Sequence, residues 1–225
     1  MKESTTQKIF QLLVKDIFDG SLKPGERLIE TELAERYGFS RGPLREVFRK
    51  LEAKRLIKME LNIGAKVVDL SDAEIIELYY VREALEGMSA RLASENMSKA
   101  EISKLISLVE ASKNSANYPK GYVELFEKDN IDFHQKIAEG SKNTKLVNFL
   151  FDDLYYLLKL YRRKITPIGS FIHATDQHLR ILMAIENRDG ELAEMLMRRH
   201  IKEARDNILK QVKSNTENPH KHEKE

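Results

Sequence analysis

The chain has 225 residues, room for one large domain or two ordinary ones, and a third of it is charged. It contains no cysteine, which excludes disulfides and thiolate metal sites and suits a reducing cytoplasm. Net charge is only +2, but residues 1–69 carry 14 Lys and Arg against 11 Asp and Glu while the remainder is nearly balanced, so the basic excess lies at the N-terminal end.

The opening MKESTTQKIFQLLVKDIFDG has no apolar run long enough for a signal peptide, and no later stretch approaches a membrane span. Residues 5–19 read as a helix, with Ile9, Leu12, Leu13 and Ile17 on one face and Gly20 as its stop. Pro24-Gly25 mark a turn. A short helix is expected over Glu30–Tyr37, with Leu33, Ala34 and Tyr37 inward and Gly38 ending it. The third helix starts after Ser40, an expected N-cap, and carries Pro43 in its first turn, where a missing N–H costs little. Leu44, Val47, Phe48 and Leu51 give it a buried face. Arg41, Arg45 and Arg49 repeat at i, i+4, i+8 and form a second, displaced stripe. Residues 41–58 hold seven basic side chains against Glu46 and Glu52, the footprint of phosphate contact, although a solvated helix face would look alike. Two strands, Leu56–Leu61 and Ala65–Val68, follow, with Asn62-Ile63-Gly64 turning between them.

Three helices and a β-hairpin are the layout of a winged helix-turn-helix, and the tight turn Gly38-Phe39-Ser40 is what that motif needs. The arginine stripe then has a task, since a helix N-terminus in the major groove lets Arg bond guanine O6 and N7 together.

From Leu70 the character changes. Ser71-Asp72-Ala73-Glu74 is a capping box opening a helix to about Asn96, and Ser98-Lys99-Ala100-Glu101 is another, opening one to about Lys113. Asn114–Pro119 reads as a loop. Helices are expected at about 121–139, 143–163, 170–187 and 190–213. The fold class is therefore mainly α: a winged helix-turn-helix over 1–69, an all-α bundle of about six helices over 70–213, and a polar, disordered tail over 214–225. Among six histidines, His220 and His222 lie in the tail. Asn130 and His134 share a helical face, and His178 and His200 lie on later helices, so three imidazoles converging in the bundle would suit a first-row divalent ion. The plainer reading is that each is a separate buried or surface histidine.

The segment LKPGERLIETELAERYGFSRGPLREVFRKLEAKRLI, with NIGAKV in the wing, resembles the GntR family of regulators. ELYYVREALEGMSARLASEN, NIDFHQKIAEGSKN and QHLRILMAIENRDGELAEMLMRRHI resemble the FCD effector domain of the FadR subfamily. Together the resemblances span about residues 5–210, in family order. They imply a homodimeric transcription repressor in the cytoplasm, with no membrane partner, that binds a palindromic operator in double-stranded DNA and is controlled by a small carboxylate metabolite. The DNA-contacting positions they imply are Thr31, where many members carry arginine, then Arg41, Gly42 and Arg45 beside the cap Ser40, with the wing residues Asn62, Gly64 and Lys66. They also imply a metal site at Asn130, His134, His178 and His200, zinc first, with nickel or manganese as alternatives. Asn130 stands where aspartate is common; its amide oxygen can ligate but brings no charge, so affinity should fall. Arg82 is implied to face the effector cavity, where a guanidinium suits a carboxylate, although it can equally pair with Glu86 at i+4. Asn143 matches a family asparagine and could simply cap the next helix. Two other functions compete: a metal-dependent hydrolase using the histidines, which lacks a partnered general base, and a DNA-binding protein whose bundle only dimerises.

Overall fold

The computed structural model describes residues 4–113, 133–154, 156, 157, 160 and 170–217. The chain divides into two compact units, Met1–Ser71 with Phe151–Arg163, and Asp72–Leu150 with Lys164–Glu225.

In the first unit, α1 (Thr5–Asp19) starts at Ser4, whose hydroxyl accepts from the Gln7 amide, and ends on Gly20 in the left-handed conformation that glycine adopts without strain. It buries Ile9, Leu13 and Ile17; Leu12, expected on that face, is exposed because it lies one position off the i, i+4, i+8 row. Next come α2 (Glu30–Tyr37) and α3 (Arg41–Ala53). Gly38, also left-handed, returns its N–H to the last carbonyls of α2 and turns the chain into α3. The Tyr37 hydroxyl donates to Asp16 of α1; burial first, and then that carboxylate, push the phenol up to about 12. On α3 the expected row Leu44, Val47, Phe48 and Leu51 is buried.

The hairpin is β2 (Ile57–Glu60) and β3 (Gly64–Val67), antiparallel with Ile57 opposite Val67 and Glu60 opposite Gly64. A third strand, β1 (Arg27–Leu28), pairs with β3, giving the order β1-β3-β2. Two residues show no alternation, so no periodic pattern marks β1. Part of the later segment belongs to this unit: Tyr156 and Leu160 pack against its core, and the Tyr156 ring meets Phe10 edge-on and Phe18 stacked.

The second unit contains α4 (Asp72–Asn96), α5 (Lys99–Lys113), α6 (Phe133–Gly140), α7 (Thr144–Val147), α8 (Ser170–Glu186) and α9 (Gly190–Glu217). The second capping box forms as expected: Glu101 accepts from the Ser98 amide at 2.8 Å while Ser98 Oγ accepts from the Glu101 amide at 3.2 Å. The Asn143 carbonyl caps α7 through the amides of Lys145 and Leu146. The helix expected over 143–163 departs from its prediction, since α7 widens into a π-helical stretch over Asn148–Asp153. Leu146 and Leu150 are buried there, and their spacing alone does not distinguish the two windings. The expected loop at 114–119 and the first part of the helix at 121–139 lie outside the described residues.

Helices α4 and α9 pack along each other. Gly87 makes the close approach possible: a Cβ there would stand 2.6 Å from Arg198 Cγ. Helix α9 runs on to Glu217, so residues 214–217 of the expected tail are helical. Among the described residues no helix is long and apolar enough to cross a membrane.

Candidate functional site

Two groups of side chains carry chemistry, one on the surface of the first unit and one inside the second. On α3, Arg41, Gly42, Arg45 and Arg49 are all exposed, on a stripe displaced from the buried row. Arg45 does not extend alone: its Nε bonds both oxygens of Glu30 on α2, at 2.9 and 3.2 Å. Ser40 occupies the N-cap position, but its hydroxyl makes no capping bond, which corrects its expected role. The first amides of α3 therefore donate no hydrogen bond to Ser40 Oγ. Thr31 is exposed on α2. In the wing, Asn62 and Gly64 both have positive φ, at 63° and 98°, and make the turn tight. Lys66 and Lys58 share the carboxylate of Glu60, at 3.3 and 2.8 Å.

The second group is buried. α6 supplies His134, α8 supplies His178, and α9 supplies His200, all nearly excluded from solvent. Their ligand atoms lie within 4.8 Å of one another. The Nε2 atoms of His178 and His200 are 3.2 Å apart. Two imidazole nitrogens on one ion, each about 2.0–2.1 Å from it, stand about 2.9 Å apart at a right angle and about 3.3 Å apart at the tetrahedral angle. The observed spacing falls between, so these residues fit a first-row divalent ion. A hydrogen bond between the two rings would give the same distance. Phe133 stacks on the His178 ring with centroids 3.8 Å apart and fixes its plane. Asn130, the fourth expected ligand, lies outside the described residues, as do the side chain of His173 and all of His220 and His222.

Further partners stand behind the rings. Glu86 on α4 meets His134 Nδ1 at 2.5 Å and takes Arg82 Nε at 2.7 Å. Arg82 and Glu86 are both buried, so the i+4 pairing of Arg82 forms, inside the bundle rather than on its surface. Burial alone would raise the Glu86 carboxyl, but Arg82 and His134 outweigh it and hold the group far below the usual carboxylate range. Gln177 Oε1 lies 2.7 Å from His200 Nδ1, and Gln177 Nε2 donates to Glu203 at 2.5 Å. Sequence reasoning reached Glu86 only as a partner for Arg82. It missed Gln177 altogether, because nothing local relates Gln177 to a ring on the next helix.

A family model for "FCD domain" matches residues 77–203, more than half of the chain, and one for "Bacterial regulatory proteins, gntR family" matches residues 5–67. The chain belongs to the GntR family. Its helical part is an FCD domain, as the sequence resemblance implied. A probable D-xylose utilization operon transcriptional repressor of Paenarthrobacter nicotinovorans is 29% identical over 203 residues, covering 89% of this chain and 87% of that protein. The transcriptional repressor RspR of Escherichia coli K12 is 27% identical over 212 residues, covering 92% and 90%. Among solved structures, E. coli McbR/YncC has a TM-score of 0.71 at 20% identity, covering 94% of this chain and 100% of that one. A putative GntR transcriptional regulator from Rhodococcus sp. RHA1 has a TM-score of 0.69 at 23% identity, covering 92% and 99%. At such identities the two structures speak for the fold alone. The relatives are regulators, and this GntR protein is a transcription regulator that binds operator DNA, not an enzyme. The hydrolase reading is set aside on that ground.

Proposed function

We propose that this GntR regulator is a homodimeric cytoplasmic repressor whose operator affinity is set by a small carboxylate bound in the FCD domain at a metal site. Residues 1–69 bind DNA and residues 70–213 sense the effector and dimerise. The observation that carries the sensor is the convergence of three buried imidazoles from three helices. His134, His178 and His200 would hold the ion, with Asn130 as a neutral fourth ligand. Zinc is the first choice, ahead of nickel and manganese. Such an ion supplies open Lewis-acid positions for a carboxylate. Arg82 serves as the second anchor for that ligand once it is released from Glu86.

At the DNA, Arg41 and Arg45 reach base edges from the start of α3, with Thr31, Ser40 and Gly42 against the backbone and Asn62, Gly64 and Lys66 in the wing. The exposure of the arginine row supports this reading. Two copies cover the half-sites of a palindrome. A carboxylate regulates only if it binds one conformation better than the other, and each tenfold difference is worth about 1.4 kcal/mol.

The decisive experiment pairs elemental analysis of protein purified without affinity tag or chelator with operator titrations across small carboxylates. His134→Ala and His178→Ala should lose metal and effector response together while keeping effector-free DNA binding. Metal-free protein that responds fully to effector overturns the metal site. One observation favours a second reading: the guanidinium of Arg82 is already matched by Glu86. If the bundle only dimerises, no carboxylate changes operator affinity.

A further inference from the structure

We infer that Glu86 and Gln177 are positioning residues that fix the tautomers of His134 and His200, so that both rings offer Nε2 to the ion. The inference rests on the metal reading above. It follows from donors and acceptors alone. An ionised carboxylate only accepts hydrogen bonds. The guanidinium of Arg82 pairs with one oxygen of Glu86 at 2.7 Å, as it does with a carboxylate, so the His134 nitrogen 2.5 Å from the other oxygen must carry the proton; that nitrogen is Nδ1. The neutral ring then has its lone pair on Nε2.

A glutamine amide can be placed either way round, and only its neighbours decide which. Here Glu203 decides. Its carboxylate can only accept, so the amide nitrogen of Gln177 faces it, at 2.5 Å. The carbonyl of Gln177 is thereby turned to His200, at 2.7 Å from Nδ1, and a carbonyl can only accept. His200 must donate from Nδ1, which leaves the lone pair on Nε2, the atom that faces His178. Two relays on different helices thus end in the same result, one through Arg82, Glu86 and His134, the other through Glu203, Gln177 and His200.

Glu86 has an additional part. The three rings are neutral donors and Asn130 would add no charge, so Glu86 is a carboxylate that compensates the ion from behind a ligand. Arg82 draws on the same carboxylate. A ligand that takes Arg82 away from Glu86 therefore strengthens the charge behind His134, and by linkage the ion and that ligand favour each other.

The test uses the full chain and zinc alone. Long-range proton–nitrogen spectra of the labelled, metal-free protein should show His134 and His200 protonated at Nδ1. Chelator competition should show zinc binding weakened about 10- to 100-fold in Glu86→Gln and Gln177→Ala. Glu203→Gln, an exposed change that leaves the core alone, should let the Gln177 amide turn and give His200 a mixture of tautomers. If Glu86→Gln fails to fold, Gln177→Ala and Glu203→Gln still decide the matter at His200. A parent protein that takes up no zinc overturns the metal reading and this inference with it. A parent that binds zinc while Gln177→Ala matches it within about twofold, or whose His200 is protonated at Nε2, overturns this inference alone.

Discussion

The recognition helix and the histidine cluster hold their polar groups in opposite ways. On α3 the arginines stand in solvent, and the ion pair of Arg45 with Glu30 is exposed. In the FCD domain Arg82, Glu86, His134, His178 and His200 are all taken out of water and satisfy one another over short distances. A surface pair is worth little to the fold, because water solvates each partner almost as well when it is alone. A buried pair is different: removing one member strands the other in a medium that cannot solvate it. The same residue types therefore carry binding in one place and fold and site geometry together in the other.

The sharpest test removes one buried partner. Glu86→Ala leaves the guanidinium of Arg82 uncompensated and should cost about 3–5 kcal/mol of stability in urea melts. A loss under 1 kcal/mol, roughly what an exposed pair contributes, would break the contrast.

Acid probes the same pair without mutation. The native pKa of Glu86 lies below its unfolded value, so its contribution is fully present above the ordinary carboxylate value of about 4.3. It should fade as pH drops below that value, where the unfolded chain takes up a proton that the native carboxylate refuses. Urea melts of the parent and of Glu86→Gln should therefore converge as pH falls; parallel curves down to the acid limit would refute the assignment.

On α3 the expectation reverses. Arg41→Ala and Arg45→Ala should each weaken operator binding by about 1–3 kcal/mol. Their melting should shift by no more than about 0.5 kcal/mol. Operator titration beside thermal melting separates the two quantities, and parent-like binding in both variants would show that α3 does not read the DNA. The smallest effect is local. Ser98→Ala removes one half of the capping box at α5 and should cost about 1 kcal/mol.

How legible each region was follows from the range of its contacts. Ser98 and Glu101, Gly38 at the end of α2, and the row Leu44, Val47, Phe48 and Leu51 all interact within one or two turns, and all were readable. The cap at Ser40 misled, since a hydroxyl in the right place need not turn to the helix amides. The strand β1 was silent, being defined only by its partner β3. The three histidines could be nominated by residue type and by likeness to other FCD domains, but nothing in their spacing said that the rings would meet.

Sequence alone determined the winged helix, its arginine row, the helical character of the remainder and the family. These depend on periodicity, caps and turn residues, whose physics acts between near neighbours along the chain. Only the tertiary structure decided that Glu86 reaches His134 across 48 residues and that Gln177 reaches His200 across 23. Those contacts depend on how each helix is rotated about its axis and how closely α4, α6, α8 and α9 approach. That is settled by packing around small residues such as Gly87, and no local pattern encodes it.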